Sequence, residues 1–151
     1  MLLDVLDDPD LEMQRWLRFG GLQTLASYRI SRPTDDLDEA RDLLAEKVGA
    51  KIIDWMRAMP LIWQSGNVCV AHAGGNPGRP IGEQSQQALV WGHPDFGRIP
   101  RQDGIWMARG HVIVEEANAV DGVISTDTGA YATGRLTAAD ISSEGVRFLT
   151  S

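Results

Sequence analysis

Leu61-Ile62-Trp63-Gln64-Ser65-Gly66-Asn67-Val68-Cys69-Val70-Ala71-His72-Ala73-Gly74-Gly75 is the stretch on which the fold turns. Two short apolar runs, 61–64 and 68–71, flank Ser65-Gly66-Asn67, residue types that close a hairpin because they accept tight and left-handed backbone. The second run ends in a histidine set against glycine. A strand fixes the direction of its last side chain, and glycine lets the backbone turn away sharply, so such an edge can present a ligand. The same arrangement recurs in Ile105-Trp106-Met107-Ala108-Arg109-Gly110-His111, and a third apolar run, Val123-Ile124-Ser125-Thr126, ends in Asp127-Thr128-Gly129-Ala130.

Working outward, residues 1–59 read as helical. Leu11, Arg15-Trp16 and Phe19 recur at helical spacing, with Gly20-Gly21 as C-cap and turn, and Leu22, Leu25 and Ala26 mark a short amphipathic helix. After a loop at Ser31-Arg32-Pro33, one of Thr34, Asp35 or Asp36 caps a helix whose stripe is Leu37, Ala40, Leu44 and Val48. Gly49 bends or divides it before Ile52, Ile53 and Met56, and Pro60 stops it. Beyond the hairpin, 74–82 is a Gly/Pro loop, 85–90 a helical turn, 94–104 a loop, and strands follow at 105–109, 123–127, 133–140 and 146–149. The last two pair through Ser142-Ser143-Glu144-Gly145. Helices first and strands afterwards predict an α+β fold.

At 151 residues the chain suits one domain, mainly helical over 1–59 and mainly strands and site loops over 60–151. A net charge of −7 argues against a nucleic-acid partner, because phosphate contacts need Lys and Arg gathered on one face. The acids crowd the first third (Asp4, Asp7, Asp8, Asp10, Glu12, then Asp35, Asp36, Asp38, Glu39), so the histidine segments stay open to an anionic substrate. Cys69 is the only cysteine, which excludes an intrachain disulfide, and its apolar setting reads as a packed thiol. The N-terminus has no basic run ahead of its apolar residues, and no apolar stretch is long enough to span a bilayer. A cytoplasmic location and no membrane partner follow as expectations.

His72 and His111 admit two readings. Each is a hydrogen-bonded structural residue, or the two are metal ligands. Spacing alone does not decide, since they are no i, i+4 pair and the chain holds no CxxC or HExxH.

The words around them narrow the choice. Val70-Ala71-His72-Ala73-Gly74 and Gly110-His111 resemble two blocks of the calcineurin-like metallophosphoesterases, nearest to the bacterial serine/threonine protein phosphatases and the symmetrical dinucleoside-tetraphosphate hydrolases. Gly20-Gly21-Leu22-Gln23-Thr24-Leu25-Ala26-Ser27-Tyr28, Leu89-Val90-Trp91, and Asp127-Thr128-Gly129-Ala130 followed by Gly134-Arg135-Leu136-Thr137-Ala138 match in the same order. The resemblance implies hydrolysis of a phosphoric ester, in line, by two divalent ions about 3.5–4 Å apart. It implies that His72 and His111 ligate the second ion, with Gly74, Gly110 and Asp127 structural at the site. Manganese is the first expectation for the metal, with iron, zinc or nickel as alternatives, and the fold implied is a four-layer αββα sandwich.

Departures from the pattern matter as much. The family blocks G-D-x-H-G, G-D-x-x-D-R-G and G-N-H-E, which carry the carboxylate and asparagine ligands and the catalytic histidine, occur nowhere in the chain. The resemblance therefore covers the C-terminal portion of the family domain, and the sandwich is expected to be incomplete. Two neutral imidazoles cannot hold a binuclear centre, so the chain alone is expected to bind metal weakly and to be inactive. Alternatives are a non-catalytic pseudo-phosphatase or protein-binding module, and a site completed by a separate N-terminal half or by self-association, with a phosphorylated protein or another phosphoester as substrate. Where relatives carry a phosphate-binding arginine, Gly92-His93-Pro94 stands here, leaving Arg98 and Arg101 as candidates. Arg109, within a strand, is expected to face solvent or a carboxylate.

Overall fold

The computed structural model describes residues 1–30 and 36–151. The expected loop Ser31-Arg32-Pro33 and the cap candidates Thr34 and Asp35 lie outside the described residues. The chain divides into two compact units, Met1–Met59 and Pro60–Ser151. No helix among the described residues is long and apolar enough to cross a membrane.

The first unit holds helices α1 (Leu2–Asp7), α2 (Pro9–Trp16), α3 (Leu22–Ser27), α4 (Leu37–Val48) and α5 (Ala50–Ala58). Side-chain caps start two of them: at α2 the Asp8 carboxylate accepts from the Leu11 amide at 3.1 Å, with Pro9 in the first turn, and at α4 Asp36 accepts from the Glu39 amide at 3.0 Å. Gly20-Gly21 breaks the helix by a kink with no loop. Gly20 sits at φ 100°, while a Cβ on Gly21 would lie 2.7 Å from Trp16 Cδ2, so the chain can double back on Trp16 only with glycine there. Val5, Met13, Trp16, Leu25, Ile30, Ala40, Leu44 and Val48 form the core of this unit.

The second unit is built on a five-stranded mixed sheet of order β1-β2-β3-β5-β4, from β1 (Ile62–Ser65), β2 (Val68–Ala71), β3 (Trp106–Arg109), β4 (Asn118–Val120) and β5 (Val123–Ser125). β1 and β2 form the expected hairpin, with Gly66 at φ 56° in its turn. β2, β3 and β5 run parallel, in the registers Cys69↔Met107↔Val123 and Val70↔Ala108↔Ile124. The sequence reading missed β4, although Asp121 (φ 50°) and Gly122 (φ 80°) form the left-handed pair that favours a two-residue hairpin.

Period-two alternation gives the sheet two faces. Cys69, Ala71 and Met107 point to one and pack with Leu89 of the short helix α6 (Gln86–Trp91), with Ile62, Ile81, Phe96 and Ile105 at the edge. Met107 and Cys69 are fully buried, and a side chain the size of Met107 contributes about 1.5–3 kcal/mol by leaving water. Val68, Trp106 and Ile124 point to the other face, where a cavity of about 490 Å³ is shared with Ile141 and Val146 of a separate hairpin, β6 (Thr137–Ser142) and β7 (Gly145–Thr150). The strand expected at 133–140 thus starts only at Thr137. A helical turn, α7 (Ala130–Thr133), precedes it, bracketed by left-handed Gly129 and Gly134. The architecture is α+β.

Candidate functional site

Three strand ends meet at the carboxyl edge of the parallel strands. His72 follows β2, Gly110-His111 follows β3, and Thr126-Asp127 follows β5. Such an edge is where open sheets leave a crevice, because the chain turns away from it in successive strands. The ladder runs on past the strands: the Gly110 amide donates to the His72 carbonyl at 3.0 Å, and the Thr126 amide to the Arg109 carbonyl at 3.1 Å. This continuation brings the two histidines side by side. His72 Nε2 lies 3.1 Å from His111 Nδ1, with ring centroids 4.8 Å apart.

His111 is held at φ 62°, a left-handed conformation that costs a residue with a Cβ about 1–2 kcal/mol. The tight turn that follows, with the Val112 amide donating to the Gly110 carbonyl at 2.7 Å, keeps it there, and the Trp91 ring stands edge-on to the imidazole at 6.1 Å. Backbone strain of this kind clusters at functional sites. Gly110 itself has room for a Cβ, whose nearest neighbours would stand at 3.8–3.9 Å, so its contribution is the amide that ties His111 to His72.

Gly74 is different. At φ 98° it is in the left-handed region, and a Cβ would meet the Phe96 ring at 2.5 Å. The loop that leaves His72 can press onto Phe96 only through a glycine. Gln84 fixes the next turn by accepting from the Asn76 amide at 2.7 Å and donating to the Asn76 and Arg79 carbonyls at 2.9 Å each. The sequence reading passed over Gln84, because an isolated glutamine in a polar stretch carries no local signal.

Two imidazole nitrogens 3.1 Å apart suit a metal ion as well as each other. At metal–nitrogen bonds of roughly 2.1 Å, two ligands at a right angle stand about 3.0 Å apart and at a tetrahedral angle about 3.4 Å apart. The observed distance falls between these values. Burial, with the neighbouring His111, pushes the His72 imidazole below its ordinary pKa, and Asp127 opposes this, so His72 is held in the neutral form a metal requires. Asp127 Oδ1 accepts from the Gly129 amide at 2.9 Å, and the Asp127 carbonyl accepts from Val114 at 2.8 Å, which makes it a loop anchor beside the pair. Among the described residues no cluster of three or more His, Cys, Asp or Glu side chains could hold an ion. The pair therefore fits two positions of one coordination shell and does not complete it.

The arginines fall apart from one another in role. The Arg101 side chain is 5% exposed, pairs with Asp103, and donates to the Asn76 carbonyl at 3.1 Å and the Arg79 carbonyl at 3.0 Å. It is a clasp on the loop after His72, with its donors already engaged. Arg98 is exposed and lines a cavity with Arg109. Arg109 is part-buried and lines the same cavity as Asp121. Its guanidinium lies 5.4 Å from the Phe96 ring centre, its Nε is sealed from solvent with no hydrogen-bond partner among the described residues, and burial pulls its pKa down. Its stem runs along the apolar side of the sheet, which is how a strand interior tolerates it.

No family model matches the chain, and no curated relative does. Its backbone superposes on the crystal structure of a "putative diadenosine tetraphosphatase" with a TM-score of 0.58 and 19% identity, over 99% of this chain and 64% of that one. The two share a fold. The chain spans under two thirds of that neighbour's length.

Proposed function

We propose that this chain is the part of a metal-dependent phosphoric-ester hydrolase that supplies two imidazole ligands to one divalent ion, manganese foremost. The observation that carries the reading is the 3.1 Å approach of His72 Nε2 to His111 Nδ1 at the carboxyl ends of adjacent parallel strands. The ordered sequence blocks and the fold likeness support it from separate directions. A divalent ion bound there offsets charge on phosphoryl oxygens and lowers the pKa of an attacking water. The chain's own contribution is positional: the Gly110 amide and the left-handed backbone of His111 fix one ring against the other, and Asp127 holds the third loop beside them. Among the described residues no group of three or more His, Cys, Asp or Glu surrounds the pair, so further ligands from elsewhere would have to complete the shell.

The sequence blocks suit a serine or threonine phosphoprotein and a dinucleoside polyphosphate alike, and the structural neighbour's description adds weight to the second. Both are phosphoric esters or anhydrides that a divalent ion held by His72 and His111 would polarise. The test is calorimetric titration of the chain with Mn²⁺ and with Zn²⁺, beside His72→Ala and His111→Ala. Binding that weakens at least about tenfold in each variant is expected. Equal affinity in all three proteins overturns the assignment. Hydrolysis of an aryl phosphate, diadenosine tetraphosphate and a phosphopeptide with added Mn²⁺ then ranks the substrates. Strong turnover by the chain alone would refute the incomplete shell.

A further inference from the structure

α6 covers the Cys69–Met107 side of the sheet through Leu89, but the same face is open over β4 and β5. There Arg109, Asn118, Val120, Val123 and Ser125 floor a cavity of about 280 Å³, and the 97–100 loop walls it. Register places these five side chains on one face, because Asn118 pairs with Ser125, Val120 with Val123, and Arg109 with Ser125.

We propose that this cavity binds a small organic oxyanion, its carboxylate or phosphate head on the Arg109 guanidinium and its apolar body against Val120 and Val123. A guanidinium is a planar fork of five donors built to meet two oxygens at once. Arg109 uses none of them on a hydrogen bond or ion pair among the described residues, and its guanidinium lies over the face of Phe96. A half-buried cation left in that condition is poised for an anion that enters from the open side. Arg98 adds a second positive charge to the wall. Asp121, the one carboxylate in the lining, forms no ion pair with either arginine and works against an anion. The volume admits a compound of about the size of a substituted benzene ring and little more. The site needs no metal and stands apart from the hydrolase reading.

Arg109 carries its own reporter. Its Nε is shut away from solvent, which slows exchange of the Nε–H proton and keeps its resonance observable. The experiment titrates the chain, in chelator so that no metal-dependent hydrolysis intrudes, with benzoate, phenyl phosphate and benzyl alcohol while the Arg109 Nε–H is followed by NMR. These three share one apolar body and differ in the head. A saturable shift with benzoate or phenyl phosphate and none with benzyl alcohol is expected, and the stronger of the two acids names the head. Arg109→Met should weaken that binding by about tenfold or more, and Asp121→Asn should strengthen it. Equal binding of benzyl alcohol, or no shift with any of the three, overturns the proposal. Should Arg109→Met fail to fold, the wild-type titration and Asp121→Asn still decide.

Discussion

Replacing Gly74 by alanine probes how tightly the loop after His72 is built. Two costs can be separated. At φ 98° an added Cβ meets its own carbonyl environment, a strain of about 1–2 kcal/mol for an L-residue. The same Cβ would stand 2.5 Å from Phe96 Cε1 and Cζ, far inside contact distance, so the ring or the loop must shift, at about 1–3 kcal/mol for a forced methyl. The expected loss is about 2–5 kcal/mol, read as the change in denaturant midpoint at constant slope. A cycle with Phe96→Ala divides the two costs, because only the contact disappears with the ring, and Gly74→Ala in that background should cost about 1–2 kcal/mol. The same substitution should also weaken metal binding, since Ala73-Gly74 leads directly from His72, where the Ala73 amide is pinned to the Leu89 carbonyl at 2.8 Å. A loss below about 0.5 kcal/mol in the parent chain would refute the claim that glycine is required here.

Two further outcomes follow from the same loops. His72 has its folded pKa lowered by burial and by His111, so the fold disfavours its protonated form. Its contribution to stability is complete above the unfolded value of about 6.5 and is lost as pH falls from there through the folded pKa, as for any group whose folded pKa is depressed. Wild-type protein should therefore lose more stability than His72→Gln when pH is lowered from about 7.5 to about 5, by thermal melts in matched buffers, and identical losses would contradict the shift. Arg101→Ala should cost about 2–3 kcal/mol, because it strips the carbonyls of Asn76 and Arg79 of a donor. Urea melts would show this, and a loss of no more than about 0.5 kcal/mol would return Arg101 to the class of solvated loop arginines.

How much was legible in the chain depends on how local the cause is. The β1–β2 hairpin was readable because Ser65-Gly66-Asn67 dictates its own turn, and α4 because Asp36 and the stripe Leu37, Ala40, Leu44, Val48 act within a few residues. β4 was equally local in cause, through Asp121-Gly122, but three residues among acids gave too short a run to stand out. The start of β6 was misplaced because the left-handed glycines at 129 and 134 turn Ala130–Thr133 into a helical turn, although its residues alone would suit a strand.

That three apolar runs end beside His72, His111 and Asp127 is legible in the amino-acid order, because the side chains and the positions of glycine are set residue by residue. The same reading shows that the blocks G-D-x-H-G, G-D-x-x-D-R-G and G-N-H-E do not occur in these 151 residues. It takes packing of distant segments to pair β2, β3 and β5 in parallel and bring His72 Nε2 to 3.1 Å from His111 Nδ1 across 39 positions of chain. The same holds for Arg101, spent on the carbonyls of a distant loop, and for Arg109, left over Phe96 with its Nε unpartnered among the described residues. The physical reason is common to all three. Parallel pairing and the burial of a charge are settled by surfaces that meet only when distant segments pack, and no local propensity encodes them.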